Sequence, residues 1–354
     1  MTILVTGGAG FIGSNFVIEW FENNSEDLVN VDKLTYAGNL ENLSDIENNK
    51  NYYFELCDLC DYKNLKRIVD KYEPRAIINF AAETHVDRSI DKPVNFLYTN
   101  IIGTFNLLEA FRLLISKKKD LEKKFKFLHI STDEIYGSLL ENEKPFSEKN
   151  SISPNSPYSA SKASSDHLVR AWFKTFKIPA ITTNCSNNYG PFQFPEKLIP
   201  LVISNAISNQ KIPIYGDGKN IRDWIYVKDH CKAICEILEK GKVGEIYNIG
   251  GNNQKTNLDV VTSICEILDE LKPRKDNKSY KNQIQFVNDR PGHDRRYAIN
   301  IDKISHEIGW KPLETFEMGI KKTICWYLNN QKWLDNVISG EYKNWVIKQY
   351  GSKL

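Results

Sequence analysis

The chain has 354 residues, of which 41% are hydrophobic and 26% charged, a balance that excludes disordered and collagen-like classes. Its 47 basic and 45 acidic residues give a formal net charge of +2, so no bulk field points to nucleic acid or a membrane surface as a partner. At roughly 100–200 residues per domain, the length allows two domains, or one large unit with an attached lobe.

Thr2-Ile3-Leu4-Val5 starts right after Met1, so no secretory leader is expected, and its apolar run Ile3-Leu4-Val5 ends in glycines. Phe11, Ile12, Phe16, Val17 and Trp20 then recur at helical spacing. Leu28 to Val31 reads as a second strand and Tyr52 to Leu56 as a third. Leu65 to Tyr72 is helical and stops at Pro74. Ala76 to Phe80 is a fourth strand, Ile101 to Ile115 a long apolar-faced helix, and Phe125 to Ile130 a fifth strand. Strands alternating with helices predict an α/β fold around a doubly wound parallel sheet. Pro191, Pro195, Pro200, Pro213, Gly216 and Gly218 break the second half into short pieces. Helical stretches at about 196–209, 228–239, 256–271 and 314–329 predict a smaller lobe at the end of the sheet. No apolar run approaches the roughly 20 residues of a membrane span. The lysines between Lys117 and Lys124 are interspersed with Asp120 and Glu122 and read as a solvated helix end.

Seven cysteines, an odd number in a long chain, favour a reduced, cytoplasmic setting over a disulfide framework. Cys57-Asp58-Leu59-Cys60 is a C-x-x-C without a second pair, so no metal site is expected and two small side chains at a strand end are the simpler reading. Cys231 and Cys235 share a helix face and read as core packing.

The first strand runs into Thr6-Gly7-Gly8-Ala9-Gly10-Phe11-Ile12-Gly13, which satisfies both G-x-G-x-x-G and G-x-x-G-x-x-G. With a strand before, a helix after, and Asp32 about 20 positions on, this is a dinucleotide turn in a Rossmann-type sheet. Asp32 can accept bonds from an adenosine ribose and would repel a 2′-phosphate, which favours NAD over NADP although Lys33 follows. Tyr158 and Lys162 lie four apart on one helix face, started by Pro157. The ammonium should favour the phenolate of Tyr158 and make it a usable acid/base.

With the glycine turn and Tyr158-x-x-x-Lys162, the sequence resembles the extended short-chain dehydrogenase/reductase family. Lys162 is then expected to hold the nicotinamide ribose, and Ser131 or Thr132 to supply the hydroxyl of the usual triad. Ser131-Thr132-Asp133-Glu134-Ile135-Tyr136-Gly137 ends the fifth strand with two adjacent carboxylates, where epimerases of the family carry uncharged residues. Adjacent acids beside a hydride-transfer site suit an elimination, one protonating a leaving hydroxyl while the other removes a carbon-bound proton. Asp32 to Asn39, Ala81 to Ile90, Asn184 to Pro191, Tyr215 to Gly218, Arg222-Asp223-Trp224 and Asp289 to Tyr297 extend the resemblance over nearly the whole chain, to the nucleotide-sugar 4,6-dehydratases.

That resemblance implies a catalytic set of Thr132, Asp133, Glu134, Tyr158 and Lys162. It assigns to a tightly bound NAD Gly7, Gly10, Phe11, Ile12, Gly13, Asp32, Lys33, Leu34, Thr35, Asp58, Leu59, Phe80, Ala81, Ala82, Thr99, Tyr158, Lys162 and Asn188. It assigns to the nucleotide sugar Thr84, Thr132, Asn187, Lys197, Leu198, Pro213, Ile214, Tyr215, Arg222, Asn257, Asp289, Arg290 and His293. Guanidinium groups suit a pyrophosphate; Arg295 and Arg296 fit either the site or the surface. Tyr158 would take the 4-hydroxyl proton, Glu134 the C5 hydrogen, and Asp133 would protonate the departing 6-hydroxyl. The implied substrate is a nucleoside-diphosphate glucose, with thymidine ahead of uridine; a 4-epimerase and a non-catalytic NAD sensor are the alternatives. Residues 1–185 would form the NAD domain, and 186–354 mainly the sugar-nucleotide domain with some segments returning to the first. Family members pair as homodimers through two helices, here about 100–115 and 158–175, whose apolar faces could equally cover the sheet.

Overall fold

The computed structural model describes residues 1–118 and 125–339. Its strands are β1 (Thr2–Thr6), β2 (Asp27–Asp32), β3 (Tyr52–Leu56), β4 (Ala76–Asn79), β5 (Lys126–Thr132), β6 (Ala180–Cys185), β7 (Asn187–Tyr189), β8 (Ile212–Tyr215), β9 (Ile221–Tyr226), β10 (Ile246–Ile249), β11 (Gln254–Thr256) and β12 (Ile284–Val287). Its helices are α1 (Phe11–Asn23), α2 (Tyr62–Tyr72), α3 (Val86–Asp91), α4 (Pro93–Phe96), α5 (Gly103–Ile115), α6 (Pro157–Phe176), α7 (Leu198–Ile207), α8 (Val227–Lys240), α9 (Asn257–Leu271), α10 (Asp302–Ile308), α11 (Phe316–Asn329) and α12 (Gln331–Ser339).

Seven strands form one sheet in the order β10-β6-β5-β4-β1-β2-β3. Every neighbouring pair in it is parallel. Parallel strands are covered on both faces, and β1 shows how. Ile3 and Val5 pack toward Phe16, Val17 and Trp20 of α1 and Ile234 of α8, whereas Leu4 packs toward Leu65 of α2 and Leu107 of α5. This alternation follows from the two-residue period of a strand.

The second half is more divided than its helical stretches predict. α8, α10 and β10 return to the large sheet, with β10 extending it beyond β6. The remaining pieces enclose a separate core around Tyr189, Val202, Ile264, Phe316 and Tyr327. Strands β7, β9 and β11 form a small sheet there, and β8 pairs with β12. The expected helix at 101–115 starts earlier, because a π-helical stretch at Leu97–Ile102 joins α4 to α5. Such a stretch commonly marks a functional position, and Thr99 from it faces the main cavity.

Cys231 is buried in the core on the α1 side and Cys235 packs against it. Lys117 and Lys118 pair with Asp70 (3.7 Å) and Glu73 (2.6 Å); Lys119 to Lys124, with Asp120 and Glu122, and the carboxy-terminal stretch 340–354, lie outside the described residues. Among the described residues no helix is long and apolar enough to cross a membrane.

Candidate active site

The carboxyl ends of the parallel strands open into a cavity of about 280 Å³. One end is the β1–α1 turn. Gly7 has φ +70°, and a Cβ there would lie 2.7 Å from the Ala81 amide nitrogen. A Cβ on Gly13 would lie 2.2 Å from the Gly7 carbonyl oxygen. Gly7, Gly10 and Gly13 line the cavity, so of the two glycine registers the structure brings this one to the surface. Helix α1 begins at Gly10 without a side-chain cap, which leaves its first amides open to an anion.

Asp32 is buried at the end of β2 and accepts from the amides of Ala9 (3.0 Å) and Leu34 (2.8 Å). Burial raises its pKa, and those two bonds oppose the rise. Each oxygen keeps a further lone pair for a hydroxyl donor. Lys33 donates to Thr99 Oγ1 (3.1 Å) and sits 3.6 Å from Asp58. Thr35, Asp58, Leu59, Phe80, Ala81, Ala82 and Asn188 line the same cavity, as do Phe11 and Ile12. Leu34 does not; it packs on Ala9 with φ +52° and contributes its amide to Asp32. Cys57 lines the cavity, and burial pushes its thiol up to about 12 and that of Cys60 to about 11.

Ser156 caps α6 through a reciprocal bond with Ser159, and Pro157 fills the first turn. Such a cap contributes about 1 kcal/mol. It sets Tyr158 at the cavity and Lys162 one turn further on. The Lys162 ammonium is buried and donates to the Ile130 carbonyl (2.8 Å). The expected phenolate of Tyr158 is therefore not what the protein alone produces: burial, then the charge of Glu134, hold the phenol well above its ordinary pKa, and the opposing bond comes from Thr132 rather than from Lys162. The two candidate hydroxyls diverge. Ser131 donates to Asp166 (2.9 Å), whereas Thr132 donates to Asp133 (3.4 Å). Asp166 also lies 3.3 Å from Nε2 of His129, whose pKa burial lowers to about 4.

Thr132 also caps the short 3₁₀ turn Asp133–Tyr136, accepting from the Glu134 amide (3.3 Å). The turn sends two adjacent carboxyls into different surroundings. Asp133 is 2% exposed, and its Oδ2 has no hydrogen-bond partner among the described residues. Burial and the neighbouring charges of Glu134 and Asp223 push its pKa far up. Glu134 is half-buried and faces the cavity. Burial raises its pKa too, but Lys197, Arg290 and Arg222 oppose this.

Thr84, Asn187 and Lys197 share the cavity wall with Thr132, and Lys197 donates to the Thr84 carbonyl (2.8 Å). None of the rest of the expected sugar-nucleotide set lines that wall, but Arg222 and Arg290 are near enough for their charges to act on Glu134. Arg222 is buried, donates to the carbonyls of Ile221 (2.8 Å) and Asp294 (3.0 Å), and lies 4.3 Å over the Tyr297 ring. Arg290 pairs with Asp87 (3.1 Å) and keeps Nε buried and without a partner among the described residues. His293 meets Asp289 (2.5 Å), and Tyr215 donates to Asp87 (3.4 Å). Pro213 and Ile214 precede Tyr215 in β8, Leu198 opens α7, and Asn257 opens α9 with its amide on Asn220 (3.0 Å). Arg296 is buried on the carbonyls of Leu140 and Glu143, while Arg295 meets Asp217 (3.0 Å) at the surface. Asp87, which ties Arg290 to Tyr215, was visible only as part of a longer motif. Glu83, from the same motif, and Gln193, Phe194 and Glu196, which no local pattern signals, also line the cavity. Glu196 accepts from both Tyr36 and Arg88 (2.9 Å each).

A family model described as GDP-mannose 4,6 dehydratase matches residues 4–323. The dTDP-glucose 4,6-dehydratase of Shigella flexneri is 56% identical over 99% of both chains. The solved dTDP-glucose 4,6-dehydratase of Bacillus anthracis, in complex with NAD, is 46% identical with a TM-score of 0.83, over 95% of this chain and 99% of that one. That of Streptomyces venezuelae is 38% identical with a TM-score of 0.87, over 95% and 100%. With this sheet, this glycine turn and this pair of carboxyls, the chain belongs to the dTDP-glucose 4,6-dehydratase family of extended short-chain dehydrogenase/reductases.

Proposed function

We infer that the protein converts dTDP-glucose to dTDP-4-keto-6-deoxyglucose and water, using NAD that is restored in each turnover. The observation that carries this reading is the pairing of Asp133 with Glu134, alike in chemistry and unlike in environment, beside Tyr158 and Lys162. Sites that run acid and base chemistry together separate their two carboxyls in this way.

The nucleotide end fits NAD. Side-chain-free Gly7 and Gly13 let a pyrophosphate approach the amides of α1, and Asp32 has lone pairs to spare for ribose hydroxyls. Lys33 is engaged by Thr99 and Asp58, which leaves the Asp32 carboxyl to dominate against a 2′-phosphate. Bound NAD would supply a hydride acceptor for the sugar C4 and, once reduced, a hydride donor for C6. Tyr158 takes the 4-hydroxyl proton once the positive nicotinamide that bound NAD would bring offsets the burial holding its phenol up, and Lys162 holds the cofactor ribose beside it. The 4-keto group acidifies C5–H. Glu134, kept toward its ionised form by Lys197, Arg290 and Arg222, removes that proton and later returns it to C5. Asp133, kept protonated by burial, donates to the departing 6-hydroxyl. Arg222 and Arg290 face the substrate pyrophosphate, β8 lies along the base, and Thr84, Asn187 and Lys197 face the sugar. A 4-epimerase or an NAD sensor has no use for the Asp133–Glu134 pair.

Residues 1–185 serve the cofactor and most of 186–354 the sugar nucleotide. Exposed Leu97, Tyr98, Ile102 and Phe105 support a homodimer through the α5 side. Free cysteines throughout the chain support a reducing cytoplasm. The test is to incubate purified protein with dTDP-glucose and no added NAD. A 4-keto-6-deoxy product is expected, and its absence with NAD bound would overturn the reading. UDP-glucose and GDP-mannose in parallel test the base, with dTDP-glucose expected to turn over fastest.

A further inference from the structure

The reaction proposed above, on which this inference rests, takes a hydride from C4 and returns it to C6, so its NAD must stay in place between the two transfers. Two walls of the NAD cavity meet across 160 positions of sequence. One wall is the loop after Asp32, whose Thr35, Ala37 and Gly38 line the cavity. The other is the stretch that carries Gln193, Phe194, Glu196 and Lys197, which line it too. Glu196 bridges them. Its Oε1 accepts from the Tyr36 phenol at 2.9 Å, and its Oε2 accepts from Arg88 Nε at 2.9 Å. We propose that this bridge is the latch of the NAD site, and that Tyr36 and Glu196 are positioning residues that keep the cofactor from leaving between turnovers.

The parts of the bridge interlock. The Arg88 guanidinium carbon lies 3.8 Å over the Tyr36 ring, and Phe194 meets that ring edge-on at 5.3 Å between centroids. A second hollow, of about 180 Å³, is lined by Tyr36, Arg88, Phe192 and Trp333. Ala37 and Phe194 line both hollows, so the bridge stands in the partition between them. With its bond to Glu196 broken, the phenol has room to swing into the outer hollow and part the walls. Each wall is also anchored independently of the latch. The Asn39 amide donates to the Ala9 carbonyl at 2.9 Å, Tyr327 donates to the Gln193 carbonyl, and Lys197 donates to the Thr84 carbonyl at 2.8 Å. Loss of the latch should therefore open the passage and leave the fold and the catalytic groups in place. The two arms of the carboxylate differ in weight. The Arg88 side chain is 50% exposed, so solvent screens its charge, whereas that of Glu196 is 15% exposed. Tyr36 is half-buried, and a hydrogen bond to an ionised acceptor is stronger than one between neutral groups. The phenol bond is thus the firmer fastening.

The test loads the purified protein with radiolabelled NAD, dilutes it into excess unlabelled NAD and follows the label retained. Tyr36→Phe removes the phenol oxygen and keeps the ring. It is expected to release label at least ~10-fold faster than wild type, the factor for losing one hydrogen bond to a charged group, while kcat with saturating free NAD stays within about twofold. Glu196→Gln should also release label faster, and the double variant no faster than Glu196→Gln alone, because both changes remove the same bond. Wild-type retention in both single variants would overturn the latch. Effects that multiply in the double variant would overturn it as well. Equal losses of retention, kcat and melting temperature in Tyr36→Phe would do the same, because a purely structural role predicts them. No sugar enters the retention assay, so failure to turn over dTDP-glucose would sink the dehydratase reading alone. A protein that takes up no label would overturn the NAD reading, and the latch with it.

Discussion

At the nucleotide end of the cleft, a methyl group on Gly13 would meet a backbone carbonyl at 2.2 Å; at the sugar end, Glu134 is held by the charges of Lys197, Arg290 and Arg222, none of which bonds to it. The turn at the first end is built mainly from neighbours in sequence, residues 7 to 38, by contact between backbone atoms, with Ala81 from the next strand end closing on Gly7. The second collects groups as far apart as Asp87 and Arg290, 203 positions from each other, and works through charge in a dry place. It follows that the nucleotide end tolerates changes of charge better than changes of volume, and that the sugar end does the reverse.

The sharpest break of that rule is Glu134→Gln, which keeps volume and removes charge. Product formation is expected to fall about 10²–10⁴-fold, the usual contribution of a positioned general base, with NAD content and melting temperature near wild type. Retention of turnover within twofold would sink the charge reading. The pH profile adds a second readout. Because burial raises the Glu134 pKa, activity is lost as pH falls through a value above the ordinary carboxylate range. Lys197→Met removes the first of the cations that oppose the rise, so the acid limb should move to still higher pH.

Gly13→Ala is the converse, a change of volume without charge. The added carbon also lies 2.8 Å from the Gly8 Cα, so backbone must move. Overpacking of this kind costs about 1–3 kcal/mol, and loss of NAD from the purified protein should accompany a lower melting temperature. Gly10→Ala is the control, since its Cβ meets the Gly7 carbonyl only at 3.3 Å. If the two alanine variants retain NAD equally, the steric account of the turn is wrong.

Legibility followed the same division. The turn, Asp32 and the alternating strands could be read because each depends on residues within a few positions or on a strand's period. Tyr158 and Lys162 could be read as neighbours on a helix, but their protonation could not. The phenol is governed by burial and by Glu134, and the ammonium, which donates to the Ile130 carbonyl, by burial and by Asp166, surroundings that arise only once β5 and α6 pack. Asp133 and Glu134 were legible as a pair, whereas their separation needs Asp223, Lys197, Arg222 and Arg290. The return of α8 and β10 to the large sheet carries no local signature, because each is amphipathic or apolar enough to fit either core.

Beneath the nucleotide end, His230 offers a titration test. Its Nδ1 meets Asn188 Oδ1 at 2.8 Å, and burial lowers its pKa to about 3. The folded value lies below the unfolded value of roughly 6.5, so the unfolded chain takes up the proton first. Stability from the neutral ring is complete above that pH and is lost as pH falls toward 3. Buried carboxylates with raised pKa values, such as Asp32, pull the opposite way, so the variant isolates the effect. The melting-temperature advantage of wild type over His230→Gln should shrink between pH 7 and pH 4. A constant gap would mean that the ring titrates alike in both states.

The smallest effect is expected where charge is present at the sugar end but not buried. Arg295 meets Asp217 at 3.0 Å with its side chain 38% exposed, whereas Arg222 is buried over the Tyr297 ring. Exposed pairs contribute about 0–1 kcal/mol because solvent screens them and both side chains lose freedom. Arg295→Gln should therefore change melting temperature by a degree or two at most and kcat/KM by less than about fivefold, the ratio that 1 kcal/mol corresponds to. Arg222→Gln strips a charge that faces Glu134 and the expected pyrophosphate position, so it should cost far more in kcat/KM. If Arg295→Gln matched it, the sugar end would owe its strength to the number of arginines at the rim. The low dielectric that burial creates around Arg222 and Glu134 would then not be its source.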